Sequence, residues 1–327
     1  MSALDRLISR LTPELAAALL ASLQDMRDGV DYPALLAAID AMDIEGIQAA
    51  LNIEEASFAP YIAAAMVIYM RSGAEMAREI ARSGIPTGGR FNPALDAEFR
   101  RDLADKVSAR TAEQIEAARE RVYEGLASGR TRREIAESLA GRISKVTGKR
   151  TGGVIGLSRP QQSWVDTMRE RLASGDPAQM RATLAAKDRD KRYDRTIKVA
   201  IRDGKAIPPA KIDEITGKYA DRLLRKRATN IASVEVEQFA ANAREDAVRQ
   251  ALAKGGGEAF KAWRHSSIYI NARPDHVEMS GRTVPFESSF IMADGVAMRY
   301  AHDPRGGARH SLNCRCRTTY AISRPVG

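Results

Sequence analysis

Apolar residues recur along most of this chain at intervals of three and four, the period of an amphipathic helix. Leu4, Ile8 and Leu11 set that spacing at the start. Thr12-Pro13-Glu14 then reads as a helix start, with Thr12 as N-cap and proline at the first helical position. Leu15, Leu19, Leu20 and Leu23 follow on one face. Asp31-Tyr32-Pro33 opens another helix through Leu35, Leu36 and Ile39, and Ile44 and Ile47 begin a third short one. Residues 58–82 form a more apolar helix, closed by the breaker Ser83-Gly84-Ile85-Pro86-Thr87-Gly88-Gly89. Residues 95–127 predict one long helix whose stripe of Phe99, Leu103, Val107, Ile115, Val122 and Leu126 is narrow and flanked by charge. Such a helix needs packing partners along its length.

Gly129 ends that helix, and Thr131-Arg132-Arg133-Glu134 makes a capping box ahead of Ile135, Leu139 and Ile143. Residues 129–136 also resemble the middle of a helix-turn-helix, which would make the chain a DNA-binding regulator. A plain helical hairpin is the favoured reading, because the Gly/Lys/Arg/Thr-rich residues 144–156 stand where a recognition helix would lie. The run Gly148-Lys149-Arg150-Thr151 lacks the upstream glycine spacing of a P-loop. Ser158-Arg159-Pro160 starts the next helix, with Trp164, Met168 and Leu172 expected in its core. Residues 174–215 are charged and broken by glycine and proline, and residues 217–253 predict a second long helix. Glu235 and Asn242, seven apart, share a face there and read as a buried polar pair that positions the C-terminal residues against the helix.

Gly255-Gly256-Gly257 reads as a hinge, after which the period changes. Residues 259–265, with Phe260 and Trp263, and residues 317–322 predict strands. The expected fold is mainly α: a long-helix helical body with a small α+β C-terminal module. The chain then divides into three consecutive regions: 1–88, 89–254 and 258–327.

Charge divides the chain. Residues 1–80 hold 5 Lys/Arg against 12 Asp/Glu, whereas the whole carries a net charge of +9. An acidic head and a basic body suggest two different partners. The basic body either meets double-stranded DNA through its phosphates, without sequence preference, or is a solvated helical surface. The longest apolar run, residues 61–70, is half of what a membrane-spanning helix needs. With no signal-peptide pattern at the start, a soluble chain made in the cytoplasm is expected.

The chemistry gathers at one end. All four histidines (His265, His276, His302, His310) and both cysteines (Cys314, Cys316) lie beyond residue 262. A module of this size with few large apolar groups needs a staple or a larger neighbour. Zinc is a candidate staple, on His276, His310, Cys314 and Cys316, since thiolate and imidazole are its common ligands. Cys-x-Cys is not the usual knuckle spacing, and free buried thiols are the competing reading. A general base at His276, beside Asp275, would instead make the module a metal-dependent hydrolase or nuclease. No paired-carboxylate or nucleophile signature accompanies it, so an enzyme is not the favoured reading.

Three segments of this module, in order, resemble one family. Arg273-x-x-His276-x-x-x-x-Gly281, Tyr300-x-x-Asp303-Pro304 and Asn313-Cys314-Arg315-Cys316 look like the C-terminal signature of the phage Mu F-like head-morphogenesis (minor capsid) proteins. Leu157-Ser158-Arg159-Pro160-Gln161 and Ile231-Ala232-Ser233-Val234-Glu235 extend the likeness more weakly, the latter with Val234 where the family has threonine. The resemblance implies a minor head protein at the portal or inner capsid of a virion or procapsid, assembled in the host cytoplasm. Its partners would be the portal protein and the major capsid or scaffolding protein. Arg273, Asp275, Gly281, Asn313, Arg317 and Glu235 are then expected to form a structural network that fixes the loops of the module.

Overall fold

The computed structural model describes residues 2–85, 90–143, 148, 150–266 and 272–323. It is mainly helical, with a small α+β region toward the C-terminus. In chain order the helices are α1 (Ala3–Asp28), α2 (Tyr32–Asp40), α3 (Ile44–Ala50), α4 (Ala59–Arg82), α5 (Ala97–Ala127), α6 (Arg132–Ala140), α7 (Arg159–Ala173), α8 (Pro177–Thr183), α9 (Asp194–Asp203) and α10 (Pro209–Gly255). A short ladder of β1 (Arg142–Ile143) and β2 (Arg150–Thr151) lies between α6 and α7. Beyond α10 come β3 (Glu258–Arg264), α11 (Pro274–Glu278), β4 (Thr283–Pro285), β5 (Phe290–Ile291), β6 (Ala297–Met298), α12 (Gly307–Ser311) and β7 (Arg317–Ser323).

Local chemistry accounts for most helix starts. Asp31 and Asp43 accept hydrogen bonds from the Ala34 and Gly46 amides and so cap α2 and α3. Thr131 and Glu134 complete a capping box on α6. Two expectations fail. Pro13 does not start a helix; it sits inside α1. Its missing N–H falls on an exposed position, while Ile8, Leu11 and Leu15 hold the buried face continuous. The Thr12 hydroxyl donates back to the Ile8 carbonyl (2.8 Å) instead of capping. Trp164 is not core: it is 51% exposed, while Met168 and Leu172 on the same helix are buried. The buried position nearer the start of α7 belongs to Gln162, whose amide donates to the Leu157 carbonyl.

After α6 the chain enters the β1–β2 ladder, and among the described residues no recognition helix follows. Residues 144–147 and 149 of the expected loop, and residues 86–89 of the expected breaker, lie outside the described residues.

The chain forms two compact units that do not follow the three consecutive regions read from the sequence. One comprises residues 17–61 and 105–229, the other residues 1–16, 62–104 and 230–327. Helices α1, α4, α5 and α10 each contribute residues to both.

In the first unit α2 packs on α3 and α6, and α8 packs on α7 and α9. Its core includes Leu23, Leu35, Ile39, Ile135, Leu139, Leu172 and Leu223. Arg27, 2% exposed, donates to the Ile155 carbonyl at 2.7 Å and faces Asp221 at 3.7 Å. Gly156 has φ +89°, a left-handed backbone that strains any other residue, and a β-carbon there would also press on the Leu224 methyl at 2.7 Å.

In the second unit Tyr69 stacks on Phe99 (ring centroids 4.0 Å), which meets Phe239 edge-on. The Tyr69 hydroxyl donates to Asp96 and Asp246. The antiparallel sheet runs β4-β3-β7, with Lys261 opposite Tyr320 and Arg264 opposite Arg317. Strand alternation buries Ala259, Lys261 and Trp263 together and leaves Phe260 43% exposed. Lys261 donates to Glu245 of α10 at 3.0 Å, and the Tyr320 hydroxyl donates to the same carboxylate at 2.8 Å. The sheet therefore lies against α10 within one unit, and the Gly255-Gly256-Gly257 turn does not separate two bodies.

Candidate metal centre

A second small core surrounds Trp263: Met279, Phe290, Met292, Met298, Ala301, Cys314 and Cys316. Into it the chain folds His276, from the single turn of α11, which starts at Pro274 and leaves the ring 2% exposed. Trp263 meets that ring edge-on, with centroids 5.4 Å apart. Cys314 and Cys316 arrive on the approach to β7. Asn313 takes a left-handed backbone (φ 53°), an uncommon state that asparagine tolerates well, just before them. Residues two apart in extended chain point the same way, so both sulfurs reach one spot.

The ligand atoms converge. His276 Nδ1 lies 3.5 Å from Cys314 Sγ and 3.5 Å from Cys316 Sγ. These three buried side chains form a cluster able to hold a metal ion. His265 follows β3 directly, and extending the Arg264–Arg317 pairing by one residue puts it opposite Cys316. Its Nδ1 is 3.8 Å from Cys316 Sγ. His310, expected among the ligands, meets the other side of His276: His276 Nε2 and His310 Nδ1 are 3.0 Å apart. The other His310 nitrogen, Nε2, bonds Asp294 at 3.0 Å, and Asp275 lies 3.7 Å from Nδ1. Asp275, His276 and His310 thus make a second grouping of ligand-type atoms beside the first.

The two thiols share a proton unequally. Hydrogen bonding from Cys316, and then from His276, draws the Cys314 thiol far below its usual range, toward thiolate. The Cys316 thiol is pushed up, because it donates to Cys314 and is buried beside that charge. The Cys316 amide also donates to Cys314 Sγ at 3.4 Å. A buried thiolate with a thiol and an imidazole at ligand distance suits a soft divalent cation.

The remaining network residues take distinct places. Arg273 donates to the Leu312 carbonyl, tying the loop before α11 to the one before the cysteines. Asp275 accepts from the His276 amide. Gly281 (φ +91°) donates its amide to the Trp263 carbonyl at 2.8 Å. Glu235 and Asn242 are both buried on α10. The acid that receives Arg315 and Arg317, however, is Glu237, at 3.2 Å and 2.7 Å. Arg317 also reaches Asp5 at 3.4 Å. Sequence reasoning overlooked Glu237 and Glu245, although acids eight apart on a face of alanines mark where a basic module docks. Asp303 caps the turn after His302 by accepting from the Arg305 amide, and Tyr300 and Asp303 are each 2% exposed.

Comparison of the chain with known protein families, with curated proteins and with solved structures gives no match. Among the described residues no helix is long and apolar enough to cross a membrane.

Proposed function

We propose that this chain is a minor head protein of a phage, acting in head morphogenesis at the portal or inner capsid. The observation that supports this reading is a convergence. The three separated segments that resemble the Mu F-like signature fold onto one another, with His276, Cys314 and Cys316 at ligand distance in their midst. Side-chain and backbone contacts within that module then use the signature residues Arg273, Gly281 and Asp303, while Arg317, next to the signature, pairs with Glu237 of α10. In this reading the cluster carries a zinc ion with a structural role, replacing the large apolar core that the module lacks. The helical body meets the portal, capsid or scaffolding protein, and its surplus of lysine and arginine meets the phosphates of packaged DNA.

The direct test is quantitative mass spectrometry of purified procapsids and DNA-filled virions, scaled to the portal protein. A few copies per portal ring are expected; absence from both particles overturns the proposal. DNA binding, measured by fluorescence anisotropy on unrelated duplexes, is expected to be sequence-independent and to weaken steadily with added salt.

A further inference from the structure

We propose that His265 is the fourth protein ligand of a closed tetrahedral zinc site formed with His276, Cys314 and Cys316, and that His310 is not a ligand but the outer support of His276. This rests on reading the cluster as a zinc site, and it changes the ligand set that sequence alone selected.

The distances carry the argument. Zinc binds thiolate sulfur at about 2.3 Å and imidazole nitrogen at about 2.0–2.1 Å, so tetrahedral angles put a ligating nitrogen and sulfur about 3.6 Å apart. The His276 Nδ1 separations from both sulfurs are 3.5 Å, and that of His265 Nδ1 from Cys316 Sγ is 3.8 Å; His265 stands outside the group whose ligand atoms all lie within 4.8 Å of one another, so its ring has to swing toward Cys314 and His276 to complete the site. His310 cannot offer the same relation. His276 presents only one nitrogen to the sulfurs; the other is taken by His310, whose own two nitrogens are committed to His276 and Asp294.

The protons are consistent with this. With His276 Nδ1 and His265 Nδ1 as lone-pair donors, the His276 Nε2–H donates to His310 Nδ1, and the His310 Nε2–H donates to Asp294. A ligating histidine held through its second nitrogen is the usual outer arrangement of a zinc site. With both cysteines as thiolates, their two negative charges would balance a divalent cation and leave no net charge buried. Four protein ligands leave no open position for substrate or water, which makes the site structural and not hydrolytic.

The test uses the full chain, zinc analysis by plasma mass spectrometry, and cobalt(II) substitution read by visible absorption. Wild type is expected to hold one zinc per chain and to give the intense bands of tetrahedral cobalt with two thiolates. His265→Ala should lose that spectrum for a weaker one of higher coordination. His265→Cys should restore a tetrahedral spectrum with added sulfur-to-metal charge transfer. His310→Ala should keep the tetrahedral spectrum while weakening affinity by about 10–100-fold. If His310→Ala abolishes the tetrahedral spectrum and His265→Ala leaves it intact, the assignment of His265 is overturned. If wild type binds neither zinc nor cobalt, the zinc reading itself fails, whatever the variants do. Helical circular dichroism of each variant verifies that the chain is folded.

Discussion

At the scale of single residues, Asp190 is the acid most strongly perturbed by its neighbours in the helical unit of residues 17–61 and 105–229. Its carboxylate caps the turn before α9 and accepts from the Arg192 guanidinium at 2.7 Å, with Arg222 at 3.3 Å. Those bonds, Arg192 first, hold its pKa at about 2. The folded value lies below that of the unfolded chain, so the stabilisation is complete above roughly pH 4 and disappears as pH falls through about 2. Asp190→Asn is expected to cost about 1 kcal/mol at neutral pH after solvent screening, and to flatten the acid limb of stability measured by urea unfolding. An unchanged acid limb would show that Asp190 is not the group responsible. The candidate site was partly legible at this scale. His276, Cys314 and Cys316 stood out because their residue types occur nowhere in the first 262 positions. The choice between His265 and His310 was not legible, because it depends on which ring nitrogen faces the sulfurs, and spacing carries no information about that. Gly281 could be read as a signature glycine, but its reason, a left-handed backbone donating to Trp263, is visible only in three dimensions.

At the scale of elements, the join of β3 to α10 rests on a buried ion pair. Lys261 and Glu245 are 1% exposed each, and burial pushes the Glu245 carboxyl up and the Lys261 ammonium down, so each needs the other to stay charged. Lys261→Ala leaves an uncompensated acid and is expected to destabilise by about 3–5 kcal/mol. Lys261→Met combined with Glu245→Gln should recover most of that loss, because it removes both charges while an acceptor for Tyr320 remains. Chemical denaturation of the three proteins measures this; a double variant no better than the single would show that the pair contributes through packing alone. Caps made the helix starts readable: Asp31, Asp43 and Thr131 stand where their side chains bond the first turn. Pro13 and Trp164 were misleading for one reason. Each was judged by its local propensity, whereas exposure on the finished helix decided what it tolerates. β3 was readable as a strand, but its inward lysine was not, because its partner acid lies sixteen residues earlier on a helix.

At the scale of the whole molecule, the mainly α class followed from periodicity, but the division into units did not, since long helices contribute to both and carry no break in pattern at the boundary. The zinc reading makes a prediction here. Treatment with a strong chelator should expose Cys314 and Cys316 to alkylation and shift the fluorescence of Trp263, best followed in a Trp164→Phe background, while helical circular dichroism changes little. Thiols that stay equally protected with and without chelator would remove zinc as the staple. The placement of residues 1–16 in the same unit as residues 230–327, joined by the Asp5–Arg317 pair, has a temporal consequence. During synthesis at about 5–20 residues per second, the first helical turns wait roughly 15–60 s for the segment they pack with to leave the ribosome. The unit of residues 17–61 and 105–229 is completed earlier, so the order of birth along the polypeptide lets it close before the metal-capable module and its N-terminal partner, which stay exposed to chaperones and proteases for longer.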